Sequence, residues 1–269
     1  MGFKAGQKII DKIRGKKIFL NKAMVNGFVF SVEPEEFWPT FSSGYWEPET
    51  FAFYKKYVSP DKEIIDIGGW IGPTTLLAYS LNPKKITVVE ADPANFQILK
   101  LNCKNNYLED KVDLNCICIG QKSNEIVTFG YTDDANQASS TKSIGGDRVK
   151  VKTTSFLDFL KTKKLNDVNI IKIDIEGAEQ YIEEGLRHIS QFEDINVLLS
   201  LHTPFWDNKE LTTKTLMKEL ENFDLYTENE EKISLDKIQE MMLASPNSQW
   251  KNKPGLFFTL ILKTKIKTH

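Results

Sequence analysis

The sequence predicts an α/β domain built on a mostly parallel sheet, preceded by an N-terminal cap. Three observations lead there. From Glu63 onward, short apolar runs alternate with helical segments. The first of these runs ends in a glycine-rich turn, IIDIGGWIGPTT at 64–75. The first sixty residues follow a different pattern, with aromatics crowded into one stretch. Continuous apolar strands separated by helices are the pattern of a parallel sheet covered on both faces.

The elements follow in order. Residues 3–14 read as a short helix, and Lys17 to Val32 as two strands turning at Asn26-Gly27, a hairpin dipeptide. Residues 37–57 then hold nine of the thirty aromatics. Such a segment is either a packed cap or oligomer surface, or a lid carrying rings for a flat substrate, since aromatics serve cores and pockets alike. The strands expected next are EIIDI, KITVVE, VDLNCICI, NIIKID and NVLLSLH, with helices beginning near Thr74, Pro93, Ser155, Ala178 and Thr212. At the end, DLYTEN, a helix around SLDKIQEMML, and GLFFTLILK read as a last antiparallel pair added to the sheet edge. The expected organisation is a cap over residues 1–60 and a core over 61–269.

Composition narrows the function classes. The chain has 269 residues, a net charge of −2, 41% hydrophobic and 11% aromatic residues. That length encloses a core, and the composition is not that of a disordered chain. No apolar run approaches the roughly 20 residues of a bilayer span, so a soluble protein is expected. Of 35 basic residues only Arg14, Arg148 and Arg187 are arginine, and 37 acids offset them. Scattered arginines and a balanced lysine surface argue against nucleic-acid binding.

The opening MGFKAGQKIIDKIRGKK lacks the apolar core of a secretory signal, and Gly6 stands where a myristoylation motif wants Ser or Thr. The three cysteines, Cys103, Cys116 and Cys118, make an odd count. Cys116 and Cys118 are expected on one face of one strand as small buried hydrophobes, in a reduced, cytoplasmic setting.

Four motifs carry chemistry. In the glycine turn, Gly68, Gly69 and Gly72 permit positive φ and close backbone approach to a ligand, and Pro73 suits a helix's first turn. The spacing is D-x-G-G-x-x-G, with Asp66 on the strand itself; a carboxylate there disfavours a pyrophosphate and suits a cationic ligand. Glu90 ends the next strand, where an acid accepts hydrogen bonds from ribose hydroxyls, while Asp92 and Pro93 make an N-cap and N1 pair.

In IIKIDIEGAE, Asp174 ends a buried strand and Glu176, Gly177 and Glu179 follow. Acids beside a buried strand end are costly unless something uses them, although helix capping accounts for Glu179 alone. Lys172 shares the strand face of Asp174 and is a candidate ion-pair partner. His202 ends the strand NVLLSLH. Ligands of open α/β sheets bind outside the carboxyl ends of the strands, where Asp66, Glu90, Asp174 and His202 are all expected.

These residues resemble a family. DIGGWIG, VVEADPANFQILKLN and IKIDIEGAE, in this order and spacing, are similar to the FkbM family of S-adenosylmethionine-dependent methyltransferases. The resemblance runs from about Tyr45 to His202 and extends to GYWEPE, the serines at 139–140 and TTSFLDFL. It implies the class I Rossmann-like fold, a mostly parallel seven-stranded sheet with an antiparallel last strand. It also implies an O-methyltransferase acting on a hydroxyl of a sugar, glycan or glycosylated natural product.

By position, Asp66, Gly68, Gly69 and Gly72 would frame the cofactor's amino-acid moiety, Glu90 its ribose, and Glu47 its methionine end. Trp70 stands where the family usually shows Asn, and Ser200 where an acid often precedes the histidine.

Methyl transfer from a sulfonium is an in-line displacement, and a sugar hydroxyl needs a positioned base or a metal ion to react. His202 and Asp174 are the candidate bases. A divalent cation on Asp174 and Glu176 is the alternative, less favoured because no full carboxylate cage is present. Three other readings remain: methylation of a small natural product, a nicotinamide-dependent oxidoreductase, and a non-catalytic adenosine-binding module. The oxidoreductase would want G-x-G-x-x-G and a second domain. Partners are expected to be a hydroxyl acceptor and, as a possibility, a second copy of the chain, without nucleic acid or membrane.

Overall fold

The computed structural model describes residues 9–13, 16–132, 135–140, 145–244 and 257–265; the described parts of 9–19 and 129–148 are described as backbone alone. The chain packs as two units, Met1–Asn115 and Cys116–His269.

The first unit opens with a three-stranded antiparallel sheet of β1 (Ile9–Ile13), β2 (Lys16–Val25) and β3 (Phe28–Val32). Asn26 (φ 50°) and Gly27 (φ 82°) make the expected turn between β2 and β3, both left-handed as a tight hairpin demands. The expected helix over 3–14 is corrected here: Ile9–Ile13 pairs with β2 as an extended strand. The rest of that segment, with Gly2 and Gly6, lies outside the described residues.

Two helices, α1 (Trp38–Ser43) and α2 (Pro48–Tyr57), carry the aromatic stretch. Phe37, Trp38, Phe41, Phe53 and Tyr54 are buried, and Phe37 packs on Trp38, Phe41 and Trp46 with ring centroids 5.2–6.1 Å apart. Rings spent on one another favour the packed cap over the lid. Then come β4 (Glu63–Ile67), α3 (Pro73–Ser80), β5 (Lys85–Glu90), α4 (Pro93–Lys104) and β6 (Val112–Cys116). Strands β4 and β5 are parallel, and their central residues are buried on both faces. Asp92 caps α4, accepting from the Ala94 N–H at 2.8 Å, as its sequence position implied.

The second unit holds β7 (Cys118–Gly120), β8 (Ile126–Thr132), β9 (Ala135–Ser140), β10 (Gly145–Ser155), α5 (Phe156–Lys161), β11 (Val168–Ile173), α6 (Glu183–Ile189), β12 (Asn196–His202), α7 (Lys209–Leu220), β13 (Phe223–Thr227), α8 (Leu235–Leu243) and β14 (Phe257–Thr264). Four of these strands make a sheet of their own in the order β7-β10-β8-β9. VDLNCICI is therefore two strands in two sheets, which corrects the shared face of the cysteines. Cys118 is buried but Cys116 is exposed, because the strand breaks at Ile117.

Seven strands form the main sheet, in the order β13-β14-β12-β11-β4-β5-β6. Strand β14 is antiparallel to both β12 and β13, giving the mostly parallel sheet with an antiparallel last strand that the resemblance implied. The closing pair is not a tight hairpin, since β14 inserts between β13 and β12. Among the described residues, no helix is long and apolar enough to cross a membrane.

Candidate active site

In the first unit the site grows out of the β4–α3 turn. Gly68 (φ 91°), Trp70 (φ 47°) and Gly72 (φ 105°) all take left-handed backbone conformations. This turn holds itself against β5: the N–H groups of Gly68 and Gly69 donate to the Val89 carbonyl at 2.8 and 3.0 Å. A Cβ on Gly69 would lie 2.2 Å from Val88 Cγ1, so the close approach of turn and strand needs glycine there. Asp66, 1% exposed, accepts from the Thr74 hydroxyl and so ties the strand end to the first turn of α3. Glu47 sits at the N-cap of α2 with φ 40° and accepts from Thr50 Oγ1 at 3.0 Å.

Glu90 is the last residue of β5 and is buried. Its Oε2 accepts from the Trp70 N–H and its Oε1 from the Asp92 N–H, each at 2.8 Å. Burial pushes its carboxyl up to about 7, against the two backbone N–H groups that favour the charge; Asp92 and Asp66 add to the rise. Each oxygen has spent one lone pair, leaving the other for a donor such as a ribose hydroxyl. The residues present thus fit an adenosyl cofactor. A second observation agrees: the indole Nε1 of Trp70 is buried with no hydrogen-bond partner among the described residues.

In the second unit, Asp174 follows β11 directly and His202 ends the parallel neighbour β12. The structure brings Asp174, Glu176 and His202 together. His202 Nε2 lies 3.6 Å from Asp174 Oδ1 and 3.7 Å from Glu176 Oε2. Lys172, itself buried, reaches Asp174 Oδ2 at 3.2 Å, the pairing expected from their shared strand face. One donor atom from each of Asp174, Glu176 and His202 falls within 4.8 Å of the others, a spacing that a divalent cation can bridge. Phe205 stacks beside the His202 ring, and Phe257, 38% exposed on β14, packs at 4.7 Å from it.

Sequence reasoning gave Glu179 too small a part. It is fully buried, and Oε1 meets His202 Nδ1 at 2.8 Å while Oε2 accepts from Trp206 Nε1 at 3.2 Å. The Gly177 N–H donates to it as well, at 3.0 Å. Gly177, with φ 99°, packs so closely on Phe205 that a Cβ would sit 2.5 Å from the Phe205 Cβ.

Burial opposes charge on His202, but the Glu179 carboxylate, then Asp174 and Glu176, outweigh it and raise the ring to about 9. Burial likewise opposes charge on Asp174, where Lys172 and then His202 prevail and hold the carboxyl below its usual range. Glu176 is raised, mainly by burial. Three carboxylates face two cationic groups, leaving a negative cluster at this strand end.

Comparison with known proteins decides the family. The methyltransferase FkbM domain profile matches residues 66–224, more than half of the chain. The protein belongs to the FkbM methyltransferase family, and its cofactor is S-adenosylmethionine.

No curated protein sequence matches this FkbM chain significantly. Among solved structures, Trm5 of Methanocaldococcus jannaschii bound to adenosine is similar at 15% identity and a TM-score of 0.42, over 94% of this chain and 57% of that one. A putative rRNA methylase of Clostridium thermocellum is similar at 8% identity and 0.48, over 82% and 96%. TrmK of M. capricolum with S-adenosylhomocysteine gives 14% and 0.43, over 81% and 68%. The chain thus spans little more than half of the first of these, and likenesses this distant carry no argument about substrate.

Proposed function

We propose that this FkbM methyltransferase is an O-methyltransferase whose acceptor is a hydroxyl of a sugar or glycan, activated at the Asp174–Glu176–His202 cluster. Residues 61–269 form the cofactor-binding core on this reading and residues 1–60 its cap. The observation that carries it is the buried Glu179–His202 pair, which ties up Nδ1 and leaves Nε2 facing Asp174 and Glu176. A carboxylate-oriented imidazole with one free nitrogen is the arrangement that lets histidine take a proton from a weakly acidic hydroxyl.

S-adenosylmethionine supplies the methyl group. Glu90 holds the ribose, and the turn from Gly68 to Gly72 admits the amino-acid end. Asp66 braces that turn through Thr74, and Glu47 stands by for the methionine end. In the second unit, Lys172 keeps Asp174 ionised so that it can accept the hydroxyl's hydrogen bond. With its ring raised to about 9, His202 takes the proton as oxygen attacks only in its neutral form, so turnover on this reading climbs as pH rises toward 9. Positioning of acceptor and donor provides the rest of the rate.

The 4.8 Å donor set favours a second reading, in which Asp174, Glu176 and His202 Nε2 hold a divalent cation that acidifies the hydroxyl. Here Glu179 would play the part of the outer carboxylate that orients a ligating histidine.

The test is a turnover screen with labelled S-adenosylmethionine against nucleotide sugars, glycosides, simple phenols and RNA. Transfer to a sugar hydroxyl is the expected result. Transfer to RNA or to a nitrogen, with none to the sugars, overturns the reading. Repeating the active reaction in EDTA separates the two modes of activation.

A further inference from the structure

Trp70 breaks two local rules at once. It is a bulky residue held at φ 47°, between two glycines that also have positive φ. A non-glycine residue in that region carries backbone strain, and such strain clusters at ligand sites. It also buries its indole N–H without any partner among the described residues. Indole is a donor and never an acceptor, so only an acceptor can relieve this.

Two contacts hold Trp70 in place. Its backbone N–H is anchored to Glu90 Oε2 at 2.8 Å, beside the ribose-binding carboxylate. Its ring meets Phe37 at 4.6 Å and 69°, and Phe37 is wedged in the aromatic cap. The turn from Ile64 to Thr75 contains no lysine or arginine. Within that turn an anion meets N–H and hydroxyl dipoles and no cationic side chain.

S-adenosylmethionine brings one anionic group, the carboxylate of its methionine moiety, along with neutral hydroxyls and ring nitrogens. An ionised carboxylate is a stronger acceptor for a neutral N–H donor than a hydroxyl or a ring nitrogen is.

We propose that Trp70 is a cofactor-binding residue whose indole N–H donates to the methionine carboxylate of S-adenosylmethionine. The cap and the cofactor are then joined through one side chain, packed edge-on against Phe37 on one side and bonded to the ligand on the other.

The experiment uses two ligands, S-adenosylhomocysteine, which keeps the carboxylate, and methylthioadenosine, which lacks the whole amino-acid end. Calorimetry on the full chain compares wild type with Trp70→Phe, which keeps an aromatic ring and removes the donor. The expected result is a loss of about tenfold or more for S-adenosylhomocysteine and less than about twofold for methylthioadenosine.

Equal losses on both ligands would place the N–H on the adenosine and overturn the proposal. No loss on either would show that the indole meets no part of the cofactor, and would overturn it too. An independent readout needs no variant beyond assignment: of the five indole N–H resonances, that of Trp70 should move downfield with S-adenosylhomocysteine and stay with methylthioadenosine. If Trp70→Phe fails to fold, this titration decides alone, and an unmoved resonance rejects the proposal. Binding of neither ligand to the wild-type chain would instead contradict the cofactor assignment itself.

Discussion

Glu179 Oε1 and His202 Nδ1 lie 2.8 Å apart, in a pair whose carboxylate has no exposure to solvent. The carboxylate also receives Trp206 Nε1 and the Gly177 N–H, so it fixes the ring and the β11–α6 turn together. Glu179→Ala would strand these buried donors and leave His202 without its main counter-charge. A loss of about 3–5 kcal/mol is expected, read as a large fall in the denaturant midpoint. Glu179→Gln keeps the shape and one acceptor oxygen. It should fold, bind S-adenosylhomocysteine normally, and lose about a hundredfold or more in turnover. Unchanged turnover in Glu179→Gln would show that the carboxylate serves the fold alone.

Glu90 gives a pH dependence whose sign is opposite to that of most carboxylates. Its folded value, about 7, lies above its ordinary 4.5. Below about pH 4.5 it is protonated in both folded and unfolded chains, and it costs nothing. Between there and neutrality the folded chain keeps a proton that the unfolded chain has lost, so stability falls as pH rises. Above neutrality the full cost remains, about 3 kcal/mol at 1.36 kcal/mol per unit. On the proposed role of Glu90, ribose hydroxyls donate to the ionised form, so cofactor binding favours its ionisation. Affinity for S-adenosylhomocysteine should therefore rise about tenfold from pH 6 to pH 8 and then level off. Calorimetry across that range checks it; the slope should vanish in Glu90→Gln.

Much of this site could be read along the chain because strand-end acids beside glycines are local signals. Asp66 and Glu90 each end an apolar run, and Lys172 and Asp174 share a face by simple alternation. The pairing of Glu179 with His202 spans 23 residues and depends on the packing of the β11–α6 turn against β12, which no local pattern encodes. Ile9–Ile13 shows the reverse failure. Its apolar spacing suits a helix as well as a strand, and pairing with β2 decides the matter. The small sheet carried a legible signal in Val149-Lys150-Val151-Lys152, where Val151 is buried and the two lysines are exposed. That alternation belongs to β10, yet Cys116-Ile117-Cys118 hid the switch between sheets inside one apolar run.

Asp174→Asn and His202→Ala should separate chemistry from cofactor binding. Each is expected to lower turnover by about 10²–10⁴-fold while leaving the affinity for S-adenosylhomocysteine within about twofold. Proton abstraction by His202 further expects turnover in EDTA to match that in its absence. Loss in EDTA with recovery in magnesium or manganese would assign activation to a cation on Asp174, Glu176 and His202. Wild-type turnover in both variants would remove the cluster from the reaction.

Gly69 and Val88 offer a test of the turn that involves no charge. A Cβ at 69 would stand 2.2 Å from Val88 Cγ1, well inside van der Waals contact, with Leu99 Cδ2 next at 3.6 Å. Val88 is fully buried in the centre of β5. Gly69→Ala must therefore push the turn off the strand, straining the bonds from Gly68 and Gly69 to the Val89 carbonyl. Overpacking of this kind costs about 1–3 kcal/mol, and the displaced Trp70 N–H would also loosen Glu90. Cofactor affinity should fall together with stability. Val88→Ala alone should cost stability by leaving a cavity, but it removes the methyl that clashes. The double variant Gly69→Ala/Val88→Ala should then be more stable than the sum of the two single losses, with cofactor affinity partly restored. Additive losses in the denaturant midpoints would mean that the turn fails for a reason other than its contact with Val88.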